Sequence, residues 1–181
     1  MENGKERISK ELNDMLSFLL GECFRLNRVA DRGISLMEVR WKLLKSAPII
    51  HLSIAHMLPL LGDKISSFQS KKNCESIYPD TTGGSKEYSS PLEFFEFVLE
   101  EFNKFEDEIS DVIDYAQSEK DHATVQFLKS FLAEFLDYTA TMNNVVDVAN
   151  SYSRTSDPMA MQLFDRDVEK CLLIPNLASG G

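Results

Sequence analysis

From about Ile8 to Ala30, apolar residues fall at Leu12, Leu16, Leu19, Cys23, Leu26 and Ala30. Steps of four and three put them on one side of a helix, so the segment predicts an amphipathic helix. Asp31-Arg32-Gly33 then reads as a stop, with Gly33 suited to the left-handed position after a helix end. A second apolar face begins with Leu36, Val39, Leu43 and Leu44, in a segment from about Ser35 to Phe68 that Pro48 and Pro59 interrupt. An interior proline removes a hydrogen bond and clashes with the preceding turn, at about 3 kcal/mol. Kinks or a break into shorter helices are therefore expected near both prolines. From about Gln69 to Ser89 the periodicity gives way to Ser, Thr, Gly and Lys, which reads as an unusually long surface connection.

Helical periodicity returns sharply. Ser90-Pro91-Leu92-Glu93 combines an N-cap serine, a proline at the first helical position and a glutamate three residues after the serine. That is a capping box. Phe95, Val98, Phe102, Phe105, Ile109, Val112 and Ala116 continue the stripe. Ser118, followed by Asp121, can start a fourth helix, whose stripe runs through Val125, Leu128, Leu132, Phe135, Met142, Val145 and Val148 to about Asn150. So short a link makes these two helices antiparallel neighbours. A shorter fifth helix is expected from Asp157-Pro158, with Met161, Phe164, Val168 and Leu172 on one side and Pro175 ending it. The pattern predicts an all-α chain: a four-helix bundle with a long crossover between the second and third helices and a short C-terminal helix. One domain over 1–181 is expected, with about 1–7 and 176–181 flexible.

Composition narrows the partners. The net charge of −10 argues against nucleic acid, which needs a basic face. No stretch of some 18 apolar residues appears, so no membrane span is expected. The polar start, MENGKERISKELND, has neither a signal core nor a transit pattern, which points to the cytoplasm. The three widely spaced cysteines, Cys23, Cys74 and Cys171, form no C-x-x-C pair and fit reduced thiols. Trp41, between Arg40 and Lys42, fits either a core or a subunit contact.

A resemblance now enters. Pro91–Glu93, Phe95-Glu96, Leu99-Glu100, Ile109, Asp114 and Ala116 look like the third helix of ferritins. Glu119-Lys120-Asp121, Ala123-Thr124, Phe127-Leu128, Phe131 and Glu134 look like the start of their fourth. The resemblance runs without a gap from about Ser90 to Val148 and implies a ferritin-like bundle, self-association into a homo-oligomer, and iron as the metal to consider. Ferritins oxidise Fe(II) between carboxylates and one imidazole, ligands suited to iron. A glutamate comes from the first helix, a Glu-x-x-His pair from the second, a glutamate from the third and a Gln or Glu from the fourth. In register, those positions fall here at Leu19, Phe102 and Phe135, and the second helix has no Glu-x-x-His. The expectation is a ferritin-family subunit without a working di-iron centre inside the subunit, and so no catalytic residues.

Relocated ligands are the alternative, with Glu22, His51, Glu101 and Glu134 as candidates; a helical interaction module without metal is another. His51 and His56 stand five apart, too far round an α-helix to share a ligand face, although a kink at Pro48 would change that. His122 is expected to be exposed. The acidic series Glu100, Glu101, Glu106, Asp107, Glu108, Asp111 and Asp114 reads first as a solvated face and second as a cation-attracting surface.

Overall fold

The computed structural model describes residues 7–153 and 159–171. Its elements are α1 (Lys10–Val39), α2 (Ser46–Ile50), a π-helical turn (His51–Ala55), α3 (Met57–Lys71), α4 (Pro91–Ser118), α5 (His122–Ser153), α6 (Ala160–Asp167) and a closing 3₁₀ turn (Val168–Cys171). Helices α1, α3, α4 and α5 form the bundle: α1 packs on α3 and α4, and α4 on α5. Stacking of Phe68 on Phe127, with ring centroids 4.2 Å apart, joins α3 to α5.

α1 continues well past the expected stop at Gly33. That glycine meets a packing demand: a Cβ on Gly33 would lie 1.9 Å from Cε2 of Phe94. Phe94 is itself buried, its ring against Tyr88 and Phe95. Gly33→Ala is expected to destabilise the fold by about 1–3 kcal/mol through overpacking, read as a lower urea midpoint. The helix ends instead at Val39; just beyond it Lys42 takes positive φ (59°), and Leu43 N–H closes the end on the Met37 carbonyl at 2.8 Å. Asn73 and Lys120, also at positive φ, follow α3 and α4 in the same way. Each accepts the left-handed strain usually left to glycine.

The break expected near the prolines falls between Ile50 and Met57. Pro48 and Pro59 each sit in the first turn of their own α-helix, where a missing N–H costs little. Pro59 leaves the Ala55 carbonyl without its usual helical donor. Asn27 of α1 supplies one, its Nδ2 donating to that oxygen at 3.0 Å. In the π turn, His56 N–H donates to the His51 carbonyl at 2.9 Å, an i to i+5 bond.

The connection between α3 and α4 is a strap laid along α1. Asn13 donates to the Glu75 carbonyl at 2.8 Å, Ile77 N–H to Ser17 Oγ at 3.2 Å, Arg28 to Thr81 at 2.6 Å and Arg32 to the Lys86 carbonyl at 3.2 Å. Contact order along the strap follows order along α1. A strap that tracks nineteen helical steps, about 28 Å, needs its length. This explains a connection that would otherwise be anomalous.

The capping box at α4 forms, with Glu93 N–H donating to Ser90 Oγ at 3.2 Å. Glu93 reaches back to Ser89, whose N–H donates to it at 2.7 Å. At α5 the cap is Asp121 and not Ser118: Thr124 N–H donates to Asp121 Oδ1 at 3.1 Å, while Ser118 Oγ donates to the Tyr115 carbonyl within α4. The expected fifth helix is present as α6, with its proposed start at Asp157-Pro158 and its end at Pro175 outside the described residues. Phe164 packs against Phe95 and Tyr152, and Asp165 accepts from the N–H groups of Lys45 and Ser46 at the start of α2. Trp41 is half-buried against the core.

Candidate functional site

The middle of the bundle is built from rings. Leu19 on α1, Phe102 on α4 and Phe135 on α5 are fully buried. The Phe102 and Phe135 centroids stand 5.1 Å apart, edge to face, and Phe105 meets Phe135 at 4.9 Å. Phe131 and Tyr138 extend the cluster at 6.3 and 6.1 Å. Each buried ring contributes roughly 1.5–3 kcal/mol of apolar burial, and each edge-to-face pair adds about 0.5–1.5 kcal/mol. These are the positions at which the resemblance puts oxygen donors. A phenyl ring has no lone pair to offer a metal, and Leu19 has none either. The residues present do not fit a di-iron centre here.

Carboxylates stand one step round the helices from this interior. Glu22 lies three residues after Leu19, and Glu101 immediately before Phe102. Both open into the groove between α1 and α4, and both meet Arg25. Its Nε donates to Glu22 Oε2 at 2.7 Å and its Nη1 lies 2.7 Å from Glu101 Oε2. Lys104 bonds the other Glu101 oxygen at 2.8 Å and also reaches Glu100. Glu101 is 7 % exposed, so its charge depends on these partners. Burial works against its ionised form, and the Lys104 and Arg25 contacts overcome that and hold it below the usual carboxylate range. A protein guanidinium and ammonium thus do the neutralising that a metal would do elsewhere.

Glu108 enters the same groove, and among the described residues its buried Oε2 meets no hydrogen-bond partner and the group has no ion-pair partner. Burial first, then repulsion from Glu22, Glu101 and Asp111, against attraction from Arg25, pushes it up to about 7. Unfolded, the group titrates near 4.5. The native state therefore holds this proton more tightly. Its contribution to stability is complete below the unfolded value and is lost as pH rises toward 7. Glu108→Gln is expected to be more stable than the parent at mildly alkaline pH, with the difference closing near pH 4.5. Urea midpoints at the two pH values check this.

The four relocated-ligand candidates do not form one donor set. Glu22 and Glu101 meet on Arg25. Glu134 pairs with Lys64 at 2.5 Å, joining α5 to α3. His51 lies on the outer side of α1, its Nε2 3.4 Å from Asp31 Oδ1. Among the described residues, no group of three His, Cys, Asp or Glu side chains is arranged to hold a metal ion. His122 is exposed. The π turn corrects the expectation for His51 and His56: their ring centroids are only 4.3 Å apart. Arg25 is the residue that sequence reasoning missed, although Glu22-x-x-Arg25 is an i, i+3 ion pair legible in the chain. Cys23, Cys74 and Cys171 are buried and unbridged, and burial pushes the Cys23 thiol up. Among the described residues no helix is long and apolar enough to cross a membrane.

A family model described as a ferritin-like domain matches residues 62–151, from within α3 through α5. Solved structures match nearly the whole chain. A humanized archaeal ferritin has 21 % identity and a TM-score of 0.80, over 89 % of this chain and 95 % of its own. An open pore ferritin from the hyperthermophilic archaeon Archaeoglobus fulgidus has 19 % identity and a TM-score of 0.80, over 91 % and 98 %. An engineered closed form of that ferritin has 20 % identity and a TM-score of 0.79, over 89 % and 96 %. At such identities the likeness speaks for the fold. Comparison with curated proteins finds no match.

Proposed function

The chain belongs to the ferritin-like superfamily, and from that premise we propose that it is a self-associating ferritin-type subunit that does not oxidise iron within its own bundle. The observation that carries this reading is the ring cluster of Phe102, Phe105 and Phe135 at the inherited ligand positions. Iron, where the assembly handles it, is cargo: an ion or mineral held by the assembly. The subunit supplies wall and surface, and Glu22 and Glu101 in the α1–α4 groove are committed to Arg25 and Lys104.

Self-association has its own support. Phe18, Ile77 and Tyr78 are each about half exposed or more, at 48 %, 58 % and 58 %. Ile77 hydrogen-bonds Ser17, and Tyr78 contacts the Phe24 ring, so these two strap residues lie against α1, in which Phe18 follows Ser17. A lone protomer would leave these apolar groups in water. The open pore and the closed form are properties of the archaeal ferritins that bear those descriptions. Their transfer to this chain belongs to the proposal.

Native mass and iron content, measured on one purified sample, test it. The expected result is a large closed oligomer whose iron accumulates slowly as mineral. One or two chains per particle with no retained iron would replace this reading with that of a helical interaction module.

A further inference from the structure

We propose that His51 and His56 together bind one late first-row divalent ion, of the class of Zn²⁺, Cu²⁺ or Ni²⁺, on the outer surface between the π turn and α1. The inference starts from backbone geometry. In an α-helix, residues five apart point well away from one another. The i to i+5 bond between His56 N–H and the His51 carbonyl widens the turn and brings the two side chains onto one side. Their rings meet edge to face at 4.3 Å.

Imidazole is the protein donor best matched to these ions, whose affinity for nitrogen sites rises toward Cu²⁺. With metal–nitrogen bonds of about 2.0–2.1 Å, two tetrahedral donors stand on the order of 3.4 Å apart. Two imidazoles sharing one tetrahedral ion have their ring centroids about 5 Å apart, so the rings must open by roughly 1 Å from their edge-to-face contact at 4.3 Å. Water can reach the site, since His51 is 39 % exposed at its side chain and His56 is exposed.

Asp31 adds the remaining element. Its Oδ1 lies 3.4 Å from His51 Nε2. A carboxylate beside a ligating imidazole orients the ring and raises its basicity. The arginines that flank Asp31 along α1 turn toward the strap, Arg28 to Thr81 and Arg32 to Glu87, which lessens their opposition to a cation. Pro59 and Asn27 hold the turn open, through the Ala55 carbonyl that the one cannot bond and the other does. The site is an open two-imidazole chelate, its other coordination positions left to water. It is remote from the ring cluster and does not depend on the functional reading above.

Cu²⁺ added to the full-length protein is the probe, followed by electron paramagnetic resonance and by calorimetry with Zn²⁺. One ion per chain with nitrogen splitting from two imidazoles is expected. His51→Ala and His56→Ala should each lower affinity at least tenfold, Asp31→Asn should lower it less, and His122→Ala should leave it unchanged. All three histidines of the chain are thereby covered. Circular dichroism verifies that the variants are folded; these surface positions carry little of the core. Binding unchanged in both single variants, a single-nitrogen spectrum, or loss only in His122→Ala would overturn the assignment.

Discussion

Phe135→Ala is expected to lower the unfolding free energy by about 3–5 kcal/mol, a large share of what a domain of this size has in total. Phe135 is fully buried and touches Phe102, Phe105 and Tyr138, so no neighbour can close the gap without giving up a contact of its own. Phe102→Ala should cost a similar amount. The double variant should cost less than the sum, because the two rings share one contact and one cavity. Urea unfolding followed by far-UV circular dichroism gives all three values. A more telling variant is Phe102→Glu, which puts a carboxylate back at the inherited position. With no cation to meet it, the acid titrates above its ordinary value. Stability should then be fullest in acid and fall as pH rises, with the heaviest loss in the ionised form. A loss below about 1 kcal/mol for Phe135→Ala would mean that the rings do not support the bundle.

Arg25→Met is expected to be the next most costly change, at about 2–4 kcal/mol near neutral pH. Methionine preserves most of the apolar stem while removing the guanidinium that holds Glu22 and Glu101. Those carboxylates, with Glu108 beside them, would then share the groove with Lys104. The ionised form of Glu101 is stabilised by the pairing in the parent. The difference between parent and variant should therefore grow as pH rises above the carboxylate range and shrink in acid. Combining Arg25→Met with Glu101→Gln should recover part of the loss, since one of the crowded negative charges is then removed. Equal losses at acid and neutral pH would place the effect of Arg25 in packing alone.

These two results concern adjacent layers of one site, and the layers differed in how readable they were. The ring layer could be read in advance because α4 and α5 announce themselves: a capping box opens α4, an unbroken stripe follows, and a three-residue link, 119–121, joins them. Once their register was known, the inward positions were fixed by periodicity. The polar layer was only half legible. Glu22 and Glu101 stood out as carboxylates, but their partner Arg25 passed unremarked, because a salt bridge between α1 and α4 depends on helix packing that one strand of sequence does not contain.

α1 shows the same limit. Gly33 has the composition of a stop, yet its reason for being small lies on another helix, in the ring of Phe94. The true ends are each followed by a left-handed residue, Lys42, Asn73 and Lys120, of which only asparagine is a familiar one there. The prolines were a fair warning of a break, but not of its kind. A π turn follows from the combined needs of Pro59, the Ala55 carbonyl and Asn27, and it reverses the geometry of a histidine pair that α-helical spacing would keep apart.

A ferritin-type bundle with hydrocarbon at its midpoint should not gather iron there. Anaerobic Fe(II) titration of the purified protein, followed by rapid mixing with oxygen, tests this most directly. The account predicts no saturable step at two irons per chain and no oxidation faster than in buffer. Two irons bound per chain, oxidised within the mixing experiment's first turnover, would contradict it.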